Sequence, residues 1–178
     1  ALKNMVSTVE TSLDASLRRM QSDLEHIADE IPAAALEQKN VEHFSKNILN
    51  DFNRRIRHFP ELSSFRIFDA DGSDLYVSGS VVPHHNVAER SYFQCAQARI
   101  NGELCYSEAI VGKITGKPVV VIAKQLLDGN GKFKGVLIGV LEMNYFTRMF
   151  SSLDLGATGA MALRRTEDGA LVARWPDA

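Results

Sequence analysis

Long apolar runs are missing from this sequence. A membrane-spanning helix needs roughly 18 to 20 consecutive apolar residues, whereas the longest run here begins at Val119 and is stopped by Lys124. An excess of charge of one sign is missing as well, because 20 Lys and Arg residues stand against 22 Asp and Glu residues. The composition therefore gives no reason to expect a membrane-spanning or nucleic-acid-binding domain.

Motifs that indicate an enzyme or a metal site are also missing. The sequence contains no Gly-x-Ser-x-Gly elbow and no His-Glu-x-x-His helix. The segment 112–117 resembles a phosphate-binding loop, but it is one residue too short between its glycines, and Pro118 stands where Ser or Thr must ligate magnesium. His84 and His85 are adjacent and have no ligand-spaced acid or cysteine beside them. We therefore expect no catalysis, no metal and no cofactor.

Cysteine is scarce, and the two that occur leave two alternatives open. Cys95 and Cys105 are ten residues apart, a spacing that fits neither a zinc site nor a redox Cys-x-x-Cys motif. They could form a disulfide in an oxidising compartment, across a short turn at Asn101 and Gly102. Each could equally be a small buried apolar residue.

Two amphipathic helices are predicted before residue 60. From Val6 to Ile31, apolar residues recur at spacings of three or four, and the pattern stops at Pro32. Such a stripe either covers a sheet or pairs with its twin in a parallel dimer, and we expect both uses in different parts of this long helix. A second helical pattern covers 41–56 and ends near Pro60.

The pattern then changes to strands. Segments rich in β-branched and aromatic residues predict five strands, at 65–68, 75–77, 103–111, 118–127 and 133–143. Short helices are predicted at 90–100 and 145–153. This order indicates an α+β fold in which a long N-terminal helix packs on a five-stranded antiparallel sheet.

Turns of the acidic-Gly type join several of these segments. Asp71-Gly72 and Asp168-Gly169 each lie between apolar segments, which is a strong hairpin signal. The second copy of this strand, turn and strand pattern predicts the start of a second domain of the same kind. The turn at 128–131 joins the fourth and fifth strands, and it lacks the glutamate that a calcium loop requires.

The segment 89–93, Glu-Arg-Ser-Tyr-Phe, has the composition of a small-ligand pocket. Arg90 offers a planar donor fork to a carboxylate, while Tyr92 and Phe93 offer ring faces to an apolar part. The alternative is that Arg90 caps loop carbonyls while the two rings fill the core. The residues alone do not decide between these two interpretations.

Taken in order, the motifs resemble the Cache family of extracytoplasmic sensor domains, which are PAS-like. The resemblance covers about residues 62–176 and rests on Asp69-x-Asp-Gly72, Ser78-Gly-Ser80, the segment 89–93, Tyr106-Ser-Glu108, Thr115-Gly116, Lys124, Gly131-Lys-Phe-x-Gly-Val136 and 142–146. The continuation at 153–174 further resembles double-Cache proteins, particularly those that feed a diguanylate cyclase or a histidine kinase.

The resemblance implies a domain plan and a location. Residues 1–60 would form an N-terminal helical stalk, 61–150 a membrane-distal Cache sensor domain, and 151–178 the start of a second, truncated Cache-like domain. The chain would be the periplasmic or extracellular part of an inner-membrane protein, in contact with the membrane only through flanking segments. It would act as a ligand-binding homodimer and not as an enzyme.

The resemblance also implies the ligand site. Arg90 and Tyr92 match the Arg-x-aromatic pair that grips the ligand in many relatives, and the remaining ligand-binding positions would be Lys124, Ser78 and Tyr106. Amino-acid-binding members usually carry a Tyr and an Asp where this chain has Ile110 and Gly112. The expected ligand is therefore a small carboxylate, a small organic anion rather than an amino acid.

The alternative is a structural dimerisation module with an occluded pocket. It differs from the sensor hypothesis in one respect: Arg90 and Lys124 would be neutralised by internal acids and would not converge on a solvent-accessible cavity.

We predict that the N-terminal helix mediates a parallel dimer, because its apolar stripe is longer than a sheet face can cover. Replacing both Leu13 and Leu17 with Glu should convert a dimeric fragment into monomers in sedimentation velocity experiments. Unchanged sedimentation of the double variant would exclude this interface.

Overall fold

The computed structural model describes residues 2–79, 85–107, 110–111, 118–151, 160–164, 169 and 171–175. Two helices, α1 (Leu2–Glu30) and α2 (Val41–Arg57), begin the chain and are joined by short 3₁₀ turns at Ala33–Leu36 and Gln38–Asn40. Helix α1 ends just before Pro32, which has no N–H to donate to a further helical turn. No helix in these described ranges is long and apolar enough to cross a bilayer.

The rest of the chain forms the sheet and its remaining helices. The elements that follow α2 are β1 (Leu62–Asp69), β2 (Asp74–Val77), α3 (Ser91–Ala98), β3 (Cys105–Tyr106), β4 (Ile110–Val111), β5 (Pro118–Leu127), β6 (Phe133–Glu142), α4 (Met143–Ser151), β7 (Met161–Arg164) and β8 (Leu171–Trp175). The sheet has the order β2-β1-β6-β5-β3, with β4 also paired to β5, and its pairs are antiparallel. The predicted α+β class is confirmed.

The predicted strands match this sheet closely. Strand β5 has the predicted bounds, while β1 begins three residues before the predicted position 65. The predicted third strand, 103–111, occurs as two short strands, β3 and β4, along one edge of β5. The sheet therefore has the five positions that were predicted, with one of them divided between two segments.

Helices cover both faces of the sheet. On one face, Met20, Leu24 and Ile27 of α1 pack with Ile122 of β5 in an apolar layer that also contains Phe52 of α2. On the opposite face, α3 contributes to a second layer that contains alternate residues of β5. Because successive side chains of a strand point to opposite faces, β5 and β6 are apolar along almost their whole length.

Charged groups fasten α2 to α1. The Arg55 guanidinium lies 2.9 Å from both the Asp23 and the Asp51 carboxylates, and its side chain is only 13% exposed. Burial lowers the pKa of Arg55, but its hydrogen bonds to the two carboxylates and their charges outweigh burial, so that the pKa is raised overall. The Arg19 guanidinium lies 4.5 Å from the centroid of the Phe59 ring, directly after α2.

The acidic-Gly turns form the predicted hairpins. In the β1–β2 turn, Oδ1 of Asp69 accepts hydrogen bonds from the backbone N–H groups of Asp71 and Ser73. In the β5–β6 turn, Asp128 accepts in the same way from two backbone N–H groups. The hairpin predicted around Gly169 is present as the antiparallel pair β7–β8. Residues 165–168 of that hairpin lie outside the described residues.

The pairing of β1 with β6 leaves no space for a side chain at Gly135. A Cβ atom built there would lie 2.1 Å from the backbone carbonyl oxygen of Phe68. Since a backbone atom in a ladder cannot rotate away, any larger residue must displace a strand.

We predict that Gly135→Ala lowers the free energy of unfolding by about 1 to 3 kcal/mol, the usual cost of overpacking. Chemical denaturation measures the change. The matched control is Gly129→Ala, because a Cβ atom at Gly129 meets nothing within 4 Å. Equal stabilities of the two variants would contradict the prediction.

Candidate functional site

The segment 85–90 carries the chain from the sheet edge into α3. It runs beside the start of β2, where the Val87 N–H donates to the Gly72 carbonyl at 2.9 Å and the Asp74 N–H donates to the His85 carbonyl at 3.2 Å. Arg90 is the N-cap residue of α3 and has an extended backbone. Its carbonyl accepts from the Gln94 N–H, which closes the first helical turn. The β1–β2 edge thus lies next to the N-terminus of α3.

Tyr92 is buried at this junction. Its side chain belongs to the apolar layer that contains Phe68 and Val87, and the residue is 7% exposed. Burial raises the pKa of its phenol, because the charged form loses its hydration, and the positive charges of Arg90 and Arg66 oppose this effect. The charges of both guanidinium groups therefore favour the ionised phenol, whereas burial favours the neutral one.

Arg66 was not among the predicted site residues. It lies in β1 opposite Ile138 of β6, on the face that α3 covers. Its Nε donates to Ser64 Oγ at 3.3 Å. Burial lowers the pKa of the half-buried Arg66, and the Tyr92 phenol and the Asp74 carboxylate oppose this shift. A charged residue inside the apolar sequence Phe65-Arg66-Ile67-Phe68 is the signal that could have identified it.

Asp74 was also missed. It opposes Phe68 across the β1–β2 ladder and therefore lies on the same sheet face as Arg66. One carboxylate oxygen, Oδ2, accepts from the His85 N–H at 2.7 Å. The other, Oδ1, is buried and has no hydrogen-bond partner in the described part of the chain. A buried acceptor without a donor is costly, which marks this atom as unusual.

Two predicted site residues lie on the opposite face of the sheet. Lys124 is directly across from Leu137, and Tyr106 is directly across from Ile122, and both of these partners belong to the apolar layer under α1 and α2. The Lys124 Nζ donates to the Gly102 carbonyl at 3.3 Å. The sheet therefore separates both residues from Arg90 and Tyr92, and their binding roles stay predictions.

Ser78 is buried, and its hydroxyl is hydrogen-bonded to the backbone of β1. Its hydroxyl accepts from the Phe65 N–H at 2.8 Å and donates to the Phe65 carbonyl at 2.9 Å. The side chain thus extends the β1–β2 ladder by one residue. Its role in ligand binding also stays a prediction.

A disulfide holds α3 near its middle. Cys95 and Cys105 are bonded, with their Cα atoms 6.1 Å apart, so the first of the two alternatives for these cysteines is confirmed. Next to the bond, Gln125 of β5 donates to the Gln97 carbonyl at 3.2 Å. Helix α3 is consequently fixed to β3 and β5 in the half that lies away from Arg90.

The described residues contain no group of His, Cys, Asp or Glu side chains that could hold a metal ion. His84 lies outside these residues. The backbone N–H of the adjacent His85 is bonded to Asp74.

Helices on both faces of a five-position antiparallel sheet are the architecture of Cache-like sensor domains. The chain belongs to the Cache domain family dCache_1, which it matches over residues 1–178. A comparison with curated protein sequences gives no significant match.

Solved structures agree with this assignment. The extracellular domain of rpHK1S-Z16, a proposed histidine kinase, is 27% identical over 93% of this chain and 73% of that chain, with a TM-score of 0.67. The ligand-binding domain of the Campylobacter jejuni chemoreceptor Tlp3, solved with 4-methylisoleucine, is 12% identical over 97% of this chain and 68% of that chain, with a TM-score of 0.73. The ligand-binding domain of the Pseudomonas aeruginosa PAO1 amino acid chemoreceptor PctC was solved with GABA. It is 15% identical over 98% of this chain and 74% of that chain, with a TM-score of 0.67. At these identities the two chemoreceptors show a shared fold.

The family fixes the general role of the chain. It is an extracytoplasmic ligand-binding sensor domain of a membrane receptor and is not itself catalytic. The predicted location, outside the cytoplasm, is confirmed.

Burial of Tyr92 has a consequence at alkaline pH. Because its pKa is raised above the ordinary value of 10.0 in the folded state, its stabilising contribution is full below pH 10.0 and is lost as the pH rises through the raised pKa. We predict that the difference between the tyrosinate absorbance titrations of the parent and of Tyr92→Phe has its midpoint above pH 10.0. A midpoint at or below this pH would show that the phenol is hydrated.

Proposed function

We propose that this domain binds a small organic anion between the N-terminus of α3 and the β1–β2 edge. Arg90 carries the proposal: its side chain is half-buried, its charge acts on Tyr92, and none of the ion pairs among the described residues includes its guanidinium. A carboxylate satisfies such a planar fork with two parallel hydrogen bonds.

The charges around Tyr92 support an anion. Arg66 and Arg90 contribute two positive charges, Asp74 contributes one negative charge, and the sum of these three groups is +1. Positive charge that is partly removed from water is unfavourable unless an anion accompanies it. A single carboxylate would neutralise the cluster.

The ligands bound in the solved structures of two relatives share a carboxylate group. Tlp3 was solved with 4-methylisoleucine and with L-valine, and PctC with GABA. All three ligands carry a carboxylate. This agrees with a carboxylate as the common recognition element, while the rest of the ligand differs between relatives.

We propose that the chain is divided into a helical stalk, a sensor domain and part of a second domain. In this plan residues 1–60 form the stalk, 61–150 the membrane-distal sensor domain, and 151–178 belong to a second Cache-like domain. The β7–β8 hairpin repeats the β1–β2 hairpin and supports this division. The likeness to rpHK1S-Z16 favours a histidine kinase over a diguanylate cyclase as the output domain of the parent protein.

Signalling would pass through a homodimer formed by α1. Glu61, directly before β1, connects several elements: its carboxylate accepts from Ser16 of α1 at 3.1 Å, and its backbone carbonyl accepts from the Glu142 N–H at the end of β6. Tyr145 of α4 also hydrogen-bonds Glu61. A ligand-driven shift of the sheet would therefore act on the stalk and on α4 together.

The alternative is a structural dimerisation module without a functional pocket. The contacts of Ser78 with Phe65 favour it, because the hydroxyl of Ser78 is already satisfied internally. Lys124 also has an internal partner, the Gly102 carbonyl. The variants described next distinguish the two functions.

We predict that Arg90→Ala abolishes the rise in melting temperature that small carboxylates produce, while the melting temperature without ligand is unchanged. Losing one partner of a desolvated charge pair costs about 2 to 5 kcal/mol, which is about 30-fold or more in affinity. A thermal-shift screen, followed by titration calorimetry, measures both quantities.

Two variants control this experiment. Arg57→Ala removes an exposed arginine of α2 and should bind like the parent, whereas Arg90→Lys should recover only part of the affinity for want of the second parallel hydrogen bond. If Arg90→Ala binds an identified ligand as tightly as the parent, Arg90 has a structural role and the alternative function is favoured.

A further inference from the structure

We infer that the anion bound at this site is a hydroxy acid, with its hydroxyl group donating to Asp74 Oδ1 while Arg66 and Arg90 hold its carboxylate. The inference rests on the proposed function, since it concerns the same site. It adds the chemical class of the ligand and assigns Arg66 and Asp74 as the residues that set specificity.

The sheet and the segment before α3 bring these groups together. Asp74 opposes Phe68, and Arg66 lies two residues before Phe68 in the same strand, so both polar side chains share the face that α3 covers. The segment 85–90 runs along Asp74 and ends at Arg90. The cluster is therefore built from two strands and a helix N-terminus.

Asp74 Oδ1 is a buried acceptor that lacks a hydrogen-bond donor in the described part of the chain. Of the buried side-chain nitrogen and oxygen atoms in the described ranges, it alone has no hydrogen-bond partner. The second oxygen is already occupied by the His85 N–H. This carboxylate can thus take one further donor, and a ligand that fills the site is the group that can supply it.

A hydroxyl group matches the one further donor that Asp74 can accept better than an ammonium group does. A hydroxyl brings one donor, whereas an ammonium brings three, and each donor without a partner adds to the cost of burial. Among the buried side chains of the described residues, Asp74 Oδ1 is the single acceptor without a partner that the ligand could use.

Charge leads to the same choice. The sum of Arg66, Arg90 and Asp74 is +1, so a hydroxy monocarboxylate makes the occupied site neutral. An amino acid, which has no net charge, would leave the positive charge in place. The neighbouring side chains Phe68, Val87 and Tyr92 are apolar or aromatic and suit a short hydrocarbon chain on the ligand.

The experiment compares ligands that differ in one group. Titration calorimetry with 2-hydroxyisovalerate, isovalerate and valine, and with the matching sets lactate, propionate and alanine, and 3-phenyllactate, 3-phenylpropionate and phenylalanine, measures the worth of each substituent on three skeletons. In the parent, the hydroxy acid of at least one set should bind about 10-fold or more tightly than its deoxy partner, the usual effect of a hydrogen bond to a charged group.

Asp74→Asn should reduce that ratio to about threefold or less, because the amide is a weaker acceptor. Asp71→Asn is the matched control, since it removes an exposed carboxylate from the same hairpin and should keep the full ratio. Arg66→Gln should weaken the hydroxy acid and the deoxy acid equally and so leave the ratio unchanged. If Asp74→Asn fails to fold, the ratios measured on the parent still decide.

The outcomes separate the two proposals. Equal binding of hydroxy and deoxy acids, tighter binding of the amino acid, or an unchanged ratio in folded Asp74→Asn would overturn the hydroxy-acid inference and leave anion binding intact. If no carboxylate binds the parent, the proposed function fails together with the inference.

Discussion

The pairing of β5 with β6 is the interaction on which the rest of the structure depends. Both strands are apolar on both faces, so they are stable in water only when a layer of helix covers each side. Helices α1 and α2 cover one face and α3 covers the other. Any polar side chain placed on either face must then find a partner inside the protein or in a bound molecule, which is why the polar groups under α3 are candidates for a binding site.

Much of this fold could be predicted because its signals are local. The heptad-like spacing of α1, the Asp-Gly turns and the β-branched run of β5 each act within a few residues, and each occurs where predicted. The division of the third strand into β3 and β4 could not be predicted, because pairing to β5 is a long-range property. Likewise, the spacing of Cys95 and Cys105 left their bond undecided until the α3–β3 geometry placed their Cα atoms 6.1 Å apart.

Only part of the candidate site could be predicted from the sequence, for a related physical reason. Arg90 and Tyr92 are neighbours in sequence and lie on one helical turn, so a motif could relate them. Arg66 and Asp74 join them through the register of β1 with β2, which the sequence does not state. The sequence also could not predict the sheet face on which Lys124 lies. Strand β5 is apolar on both faces, so its residues do not alternate between polar and apolar.

The disulfide fixes α3 at Cys95, and the residues before Cys95 can rotate about this fixed point, the pivot. Cys95 is bonded to β3, five residues beyond Arg90, so the arm between them is about 7.5 Å long at the helical rise of about 1.5 Å per residue. With Cys95 held, the part of the helix before it would respond to a ligand by tilting more easily than by sliding. A tilt of about 10° would move the Arg90 end by about 1.3 Å on an arm of that length. Small changes of angle at the pivot would thus become displacements of the size by which packed interfaces switch.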